Sequence, residues 1–375
     1  MKKSALIPYF FVVMLSVSCA QSIDKRINLP EKDLFTLEPV VEKIQNPWGM
    51  AFLPDGGILV TEKSGKLLLF QAGKTTEIQN LPEIYVKGQG GLMDVELHPN
   101  YKENGWIYLS FASNKGEGTG GNTAIMRAKL NGNRLVNNQL LYKGTPNTTK
   151  GQHFGSRLEF DNEGNLYFSI GDRANRDVNP QDVTRDGGKI YRIKDDGRIP
   201  SDNPFVNQKG AKTAIFSYGH RNPQGLAKHP GTGKIWEHEH GPRGGDEINI
   251  IQKGKNYGWP VITYGINYGG TKITDETSKP GMEQPLHQWT PSIAPCGMTF
   301  VTSKRYPEWK NNLLVGSLVF QYLERLVIEN NKVVYREKLL ENAGRLRNVK
   351  QAPDGYIYVG IEGKGIFRLE PKKKA

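Results

Sequence analysis

Arg157-Leu158-Glu159-Phe160, Asp161-Asn162-Glu163-Gly164 and Asn165-Leu166-Tyr167-Phe168 follow one another without a break. The first group alternates apolar with polar residues, the second has the chemistry of a tight turn, and the third is apolar and aromatic. That order reads as a strand, a turn and a second strand. The same unit recurs. Residues 49–60 carry it as Gly49-Met50-Ala51-Phe52-Leu53-Pro54-Asp55-Gly56-Gly57-Ile58-Leu59-Val60. A second copy runs from Asp94 through His98-Pro99-Asn100 to Trp106-Ile107-Tyr108-Leu109. Further copies are Gly225-Leu226-Ala227, His229-Pro230-Gly231, Lys234-Ile235-Trp236, and Gly297 to Val301 with Leu313-Leu314-Val315. The last is Asn348-Val349, Pro353-Asp354-Gly355, Tyr356-Ile357-Tyr358-Val359.

Six such units, roughly 45 to 75 residues apart, predict an all-β chain folded as a six-bladed β-propeller of four-stranded antiparallel blades. Sustained helical periodicity is missing, which disfavours a doubly wound α/β sheet. A strand near Phe35 to Val41 precedes the first unit, and the chain ends on Ile366-Phe367-Arg368-Leu369. Pairing the two closes the ring and removes an open edge. The variable segments 112–124, 173–214 and 260–292 are the loops expected to build a functional face.

The remaining composition bounds the setting. Of 375 residues, 37% are hydrophobic and 10% aromatic, enough for a large core. Residues 1–20 read as an export signal: Lys2 and Lys3, an apolar run from Ala5 to Val17, then Ser16, Ser18 and Ala20. Residues 21–375 form a single propeller domain. Ser18-Cys19-Ala20 serves as a cleavage site, or Cys19 becomes the lipidated end of a membrane-attached protein; both readings stay open. The expected location is periplasmic or lipid-anchored. Cys296 is left without a disulfide partner. The formal charge of +12 falls to +10 without Lys2 and Lys3. With no basic helix, zinc spacing or RNA-binding aromatic run beside it, that charge is read as scattered surface lysine, not as a nucleic-acid interface. It also suits a basic cleft for an anionic cofactor.

In a propeller the innermost strands line the channel, so residues just before them converge on one mouth. There the chain has Gln89, Gln152 and His153, Arg221, Asn222 and Gln224, and Arg345 and Arg347. Polar and cationic groups where the repeat wants small ones suggest a site. His153 is the candidate general base. His98 and His229, each before Pro in the same turn, are read as structural, and His220 equally as a packing residue or as one supporting the site from behind. His238 and His240 share a strand face and are a weak metal signal; a structural role is favoured. Gly241-Pro242-Arg243-Gly244-Gly245-Asp246-Glu247 offers turn carbonyls and carboxylates that suit calcium. Gly116-Glu117-Gly118-Thr119-Gly120-Gly121 fits a dinucleotide fingerprint but leads into a strand-like run, so nicotinamide binding is not expected.

Gly219-His220-Arg221-Asn222-Pro223-Gln224-Gly225-Leu226, His240-Gly241-Pro242, Asp246-Glu247-Ile248-Asn249 and Asn256-Tyr257-Gly258-Trp259-Pro260 together resemble the soluble quinoprotein glucose dehydrogenases. The aldose sugar dehydrogenase branch is the nearest in likeness, and Gly151 to Leu158 and Pro353-Asp354-Gly355 extend the match. The resemblance implies that His153 takes the proton of the sugar anomeric hydroxyl while a hydride passes to pyrroloquinoline quinone (PQQ), giving a lactone. It implies that Arg221 and Ca2+ polarise the accepting carbonyl, and that Gln89, Asn222 and Gln224 line the cofactor. Gly241 and Pro242 carbonyls would hold that calcium, Arg345 and Arg347 would face cofactor carboxylates, and Glu247 with the Tyr257 carbonyl would hold a second, structural calcium. The implied partners are a small-molecule sugar and an electron acceptor, quinone or cytochrome.

One departure stands out. The family usually places a lysine in the fifth unit, after a run like Val315-Gly316-Ser317-Leu318, and here Val319-Phe320-Gln321 follow. Two rival readings share the architecture: a metal-dependent lactonase, and a propeller that binds without catalysis.

Overall fold

Six sheets of four antiparallel strands make up residues 35–372, the part of the chain described by the computed structural model. The innermost strands are Pro47–Phe52, Leu92–Leu97, Leu158–Phe160, Pro223–Lys228, Pro295–Phe300 and Leu346–Gln351. Each pairs with the strand that follows it: Ile58–Glu62, Trp106–Ser113, Asn165–Ile170, Ile235–Glu239, Leu313–Ser317 and Ile357–Ile361. The ring closes as the sequence predicts. Phe35–Glu42 becomes the outermost strand of the sixth blade, paired with Gly365–Pro371 in the register Leu37↔Leu369. The expected export signal and Cys19 lie outside the described residues.

Burial follows position in the blade. Asn165–Ile170 is buried along its whole length because neighbouring blades cover both its faces. The outermost strand Lys332–Leu339 alternates exposed with half-buried residues and reads Lys-Val-Val-Tyr-Arg-Glu-Lys-Leu. The core is accordingly a set of wedges between blades. Leu59, Leu67, Leu109 and Met126 fill the wedge between the first and second, and Trp236, Trp289, Leu313 and Leu326 that between the fourth and fifth. Truncating one such leucine to alanine costs about 2–5 kcal/mol.

Arg157 sits in the central channel and touches every other blade. Its guanidinium donates to Trp48 O (3.3 Å), Asp94 Oδ1 (3.3 Å), Gln224 O (2.7 Å) and Arg347 O (2.9 Å), and lies 3.5 Å from Cys296 Sγ. It also stacks 4.0 Å over the Trp48 ring.

The predicted loops need correction. Segment 112–124 already contains the start of strand Asn122–Asn131, so the glycine run leads into a strand and no helix follows it. Segment 173–214 contains strand Lys189–Lys194, which runs away from the mouth, so only its first part reaches the functional face. Asp195 beyond it approaches His98 at the opposite end, at 3.8 Å. Segment 260–292 ends in strand His287–Trp289. His98 and His229 do the same structural work, their Nδ1 atoms accepting Asn100 N at 3.0 Å and Gly231 N at 3.1 Å.

Candidate active site

His153 lies five residues ahead of the third inner strand, with a left-handed φ of 56°. A non-glycine residue there needs support from its surroundings. Gln89 Oε1 accepts its backbone N–H at 2.7 Å. Arg173 supplies more: its guanidinium donates to Gln152 O, to Lys150 O (3.0 Å) and to Gly121 O (3.2 Å), and lies 3.4 Å over Phe154. Two glycines permit the close packing. A Cβ on Gly171 would fall 2.4 Å from His153 O, and one on Gly88 2.4 Å from Gly151 O.

Gly171 is followed by Asp172, which is 1% exposed. Asp172 Oδ1 lies 2.6 Å from His153 Nδ1, and Oδ2 accepts Trp259 Nε1–H at 2.9 Å. Burial opposes ionisation of Asp172, yet the bonds from His153 and Trp259 hold its carboxyl below the ordinary value. Burial also pushes the His153 imidazolium below its ordinary value, partly offset by Asp172, which favours the neutral ring. A carboxylate on Nδ1 fixes the proton there and leaves Nε2 as the basic atom.

Arg221 stands across the same cavity. Its Nη1 donates to His240 O at 2.9 Å, it lies 5.4 Å from the Trp259 ring centroid, and its buried Nε has no partner. Glu239 accepts the backbone N–H groups of both Arg221 and Asn222, the latter at 3.2 Å. The cavity encloses 270 Å³ and is lined by His153, Asp172, Arg176, Arg221, Trp259 and Tyr268 among others.

The other predicted residues take different places. Asn222 and Gln224 are buried and brace the His153 loop, Asn222 Oδ1 accepting Gly155 N at 3.2 Å and Gln224 Nε2 donating to Gly155 O at 3.0 Å. Arg345 and Arg347 both pair with Glu362, Arg345 at 2.6 Å, so their charge is half neutralised. Val319, Phe320 and Gln321 are exposed. Arg325 is engaged with Glu337 and Asn312 and does not replace the family lysine.

Two groups of candidate metal ligands resolve differently. His238 and His240 reach the next inner strand, 3.2 Å from Gly297 O and 2.8 Å from Pro295 O. Those contacts with main-chain carbonyls fit a structural or supporting role. The intervening positions of the same strand matter more: ligand atoms of Glu237, Glu239 and His220 lie within 4.8 Å of one another. Asn249 Nδ2 bridges to Glu237 Oε2 at 3.2 Å and Glu247 Oε2 at 3.5 Å. Burial, reinforced by Glu239, raises both the Glu237 and Glu247 carboxyls well above their ordinary range. Glu247 and Tyr257 border a small cavity with Gly241 and Glu239. Pro242 lines the catalytic cavity, and its carbonyl accepts Ser292 Oγ–H at 3.1 Å.

A model of the Glucose / Sorbosone dehydrogenase family matches residues 44–368. The chain belongs to that family. Aldose sugar dehydrogenase YliI of Escherichia coli is 40% identical over 331 residues, 86% of this chain and 89% of its own. The solved apo-form of the soluble aldose sugar dehydrogenase from that organism superposes with a TM-score of 0.85 at 37% identity, covering 90% of this chain and 100% of its own. The PQQ-bound aldose sugar dehydrogenase of Streptomyces coelicolor gives 0.71 at 27% identity, covering 92% and 99%. The chain is thus an oxidoreductase of the quinoprotein type, which sets aside the lactonase and non-catalytic readings.

Proposed function

We propose that the protein oxidises aldose sugars at the anomeric carbon to lactones, using PQQ and Ca2+, and passes the electrons to a quinone or cytochrome. The observation that carries the proposal is the His153–Asp172 pair facing Arg221 across one cavity, in a chain of this family.

The residues fit the cofactor. PQQ is a polyanion, and the Arg221 Nε is buried and unpartnered beside the cavity; Arg345 and Arg347 bring further guanidinium groups to the mouth. When bound, the quinone supplies a two-electron hydride acceptor. The protein's part is proton handling and orientation. His153 Nε2 takes the anomeric hydroxyl proton, Asp172 holds the ring in the tautomer that leaves Nε2 free, and Trp259 holds Asp172. Arg221 stabilises negative charge that develops opposite the base.

Calcium fits as well. Glu237 Oε1 and Asn249 Oδ1 are buried without a partner, next to Glu239 and Glu247. Buried carboxylates with orphaned oxygens suit a hard divalent cation. Glu247 and the Tyr257 carbonyl would hold the structural ion, and Gly241 and Pro242 carbonyls the ion beside the quinone.

Reconstitution tests the reading. Sugar-dependent dye reduction is expected when PQQ and calcium are both supplied, with nicotinamide having no effect. Activity that survives chelation and needs no quinone would overturn it. An exported location, periplasmic or anchored through lipidated Cys19, belongs to the same proposal and is checked by the mass of the mature N-terminus.

A further inference from the structure

Beside the catalytic cavity lies a second one of 190 Å³, and the two have Ala174 and Asn175 in common. Thr148 gives the second cavity a hydroxyl, the amides of Asn122 and Asn179 that also line it donate to Pro146 O and Asp172 O, and Lys150, Arg173 and Arg185 give it three cations. Its carboxylate, Asp186, is already engaged. Oδ1 accepts the Tyr142 and Tyr191 hydroxyls at 2.6 and 3.0 Å, Oδ2 accepts Thr145 N at 2.9 Å, and Lys212 Nζ lies 3.4 Å away. Among the described residues none of the three cations is ion-paired with a carboxylate, although the terminal nitrogens of Arg173 donate to the Gln152, Lys150 and Gly121 carbonyls. Lys150 is exposed, Arg185 bonds through Nε to Asn179 Oδ1 at 3.1 Å, and Arg173, 2% exposed, has a buried Nε without a partner. Such an orphaned donor calls for an acceptor. The chain's +12 charge acts in the same direction, drawing anions toward the protein.

We propose that this cavity is a subsite for the distal unit of an acidic saccharide: a uronic acid whose carboxylate meets Arg185 and Lys150 while the reducing end of the same molecule faces His153. Planar guanidinium groups pair well with a carboxylate. The inference rests on the reading that His153 acts on an anomeric carbon, and it narrows the substrate class to uronic-acid-terminated oligosaccharides.

The test compares cellobiouronic acid with cellobiose, using the cofactor-loaded protein and the variants Arg185→Gln and Lys150→Gln. The wild type should show kcat/KM roughly tenfold higher for the acid at low salt, with the ratio shrinking as salt rises and falling to about twofold or less when both substitutions are combined. A ratio near one in the wild type, or one that survives both substitutions, overturns the subsite. Exposed Lys150→Gln serves alone where Arg185→Gln does not fold. If neither sugar is oxidised, the dehydrogenase reading fails and calorimetry decides the subsite separately. Tighter binding of the acid, weakened by either substitution, supports it, and equal binding of the two sugars sinks it.

Discussion

Asp172 Oδ1 stands 2.6 Å from His153 Nδ1, although the two residues are 19 positions apart and come from opposite ends of one hairpin. The geometry orients the base and selects its tautomer. It also explains why a buried carboxyl stays ionised: its two oxygens are held by an imidazole and an indole N–H.

His153→Ala should lower kcat about a hundredfold to ten-thousandfold while cofactor affinity holds. Asp172→Asn should lower kcat with little change in KM. The pH profile separates catalysis from packing. Burial lowers the His153 value below 6.5, so the acid limb of kcat/KM should lie below pH 6.5, since the neutral base is lost only as pH falls through that lowered value. Losing the Asp172 carboxylate removes a charge that favours the imidazolium, so in Asp172→Asn the limb should move lower still. An acid limb unchanged by that substitution would mean that Asp172 does not face the base.

Much of this was legible in the residues. Turn-separated strands gave six blades, and Phe35 to Val41 was recognisable as the closing strand because an unpaired apolar strand at each chain end demands a partner. His153 and Arg221 were found by reading the position ahead of each inner strand. Asp172, Glu239 and Glu362 were not, for a specific reason: the second strand of each blade runs antiparallel and ends at the same mouth. Pro223 pairs with Glu239, and Leu346 with Ile361 just before Glu362. Comparing those strand ends across repeats would have exposed the counter-charges to the predicted arginines. The partners of Arg173 depend on loop packing, which no repeat position encodes, whereas the Glu237 cluster arises from strand register, Glu237 facing Asn249 and Glu239 facing Glu247.

Calcium should raise the melting temperature of the cofactor-free protein by several degrees, because binding to the folded state alone stabilises it by mass action. Glu237→Leu should reduce that shift, and Glu247→Gln should remove most of it. Terbium luminescence sensitised by nearby tryptophan gives an independent readout. A melting temperature indifferent to calcium in the wild type would show that the buried carboxylates hold protons instead.

Arg157 and Asp94 are 4% and 6% exposed and 3.3 Å apart in the channel. Removing one partner of a buried ion pair costs about 3–5 kcal/mol, which in a chain of this size corresponds to roughly 4–7 °C in melting temperature. Arg157→Leu should show that loss, since it also removes a donor from the Trp48, Gln224 and Arg347 carbonyls. Thermal unfolding checks it, and an unchanged midpoint would mean the blades hold the axis closed without this cation.

The charge at the mouth between the fifth and sixth blades is set by Glu362. Burial opposes its ionisation, but Arg347 and Arg345 outweigh that and hold it below the ordinary value. The two guanidiniums that would meet the quinone's carboxylates therefore bring one net charge where two were expected, and exposed Val319 stands where the resemblance to the family places a lysine. Glu362→Gln should tighten quinone binding, and Val319→Lys should do so as well, each by up to about tenfold, since an ionised hydrogen-bond partner contributes roughly 1.5–3 kcal/mol and an exposed one less. Arg347→Ala should weaken binding. Fluorescence titration of PQQ against the three variants measures all of this. Tighter binding in Val319→Lys with no change in Glu362→Gln would place the cofactor nearer the fifth blade than the sixth. No change in any of the three would remove this side of the mouth from the cofactor site altogether.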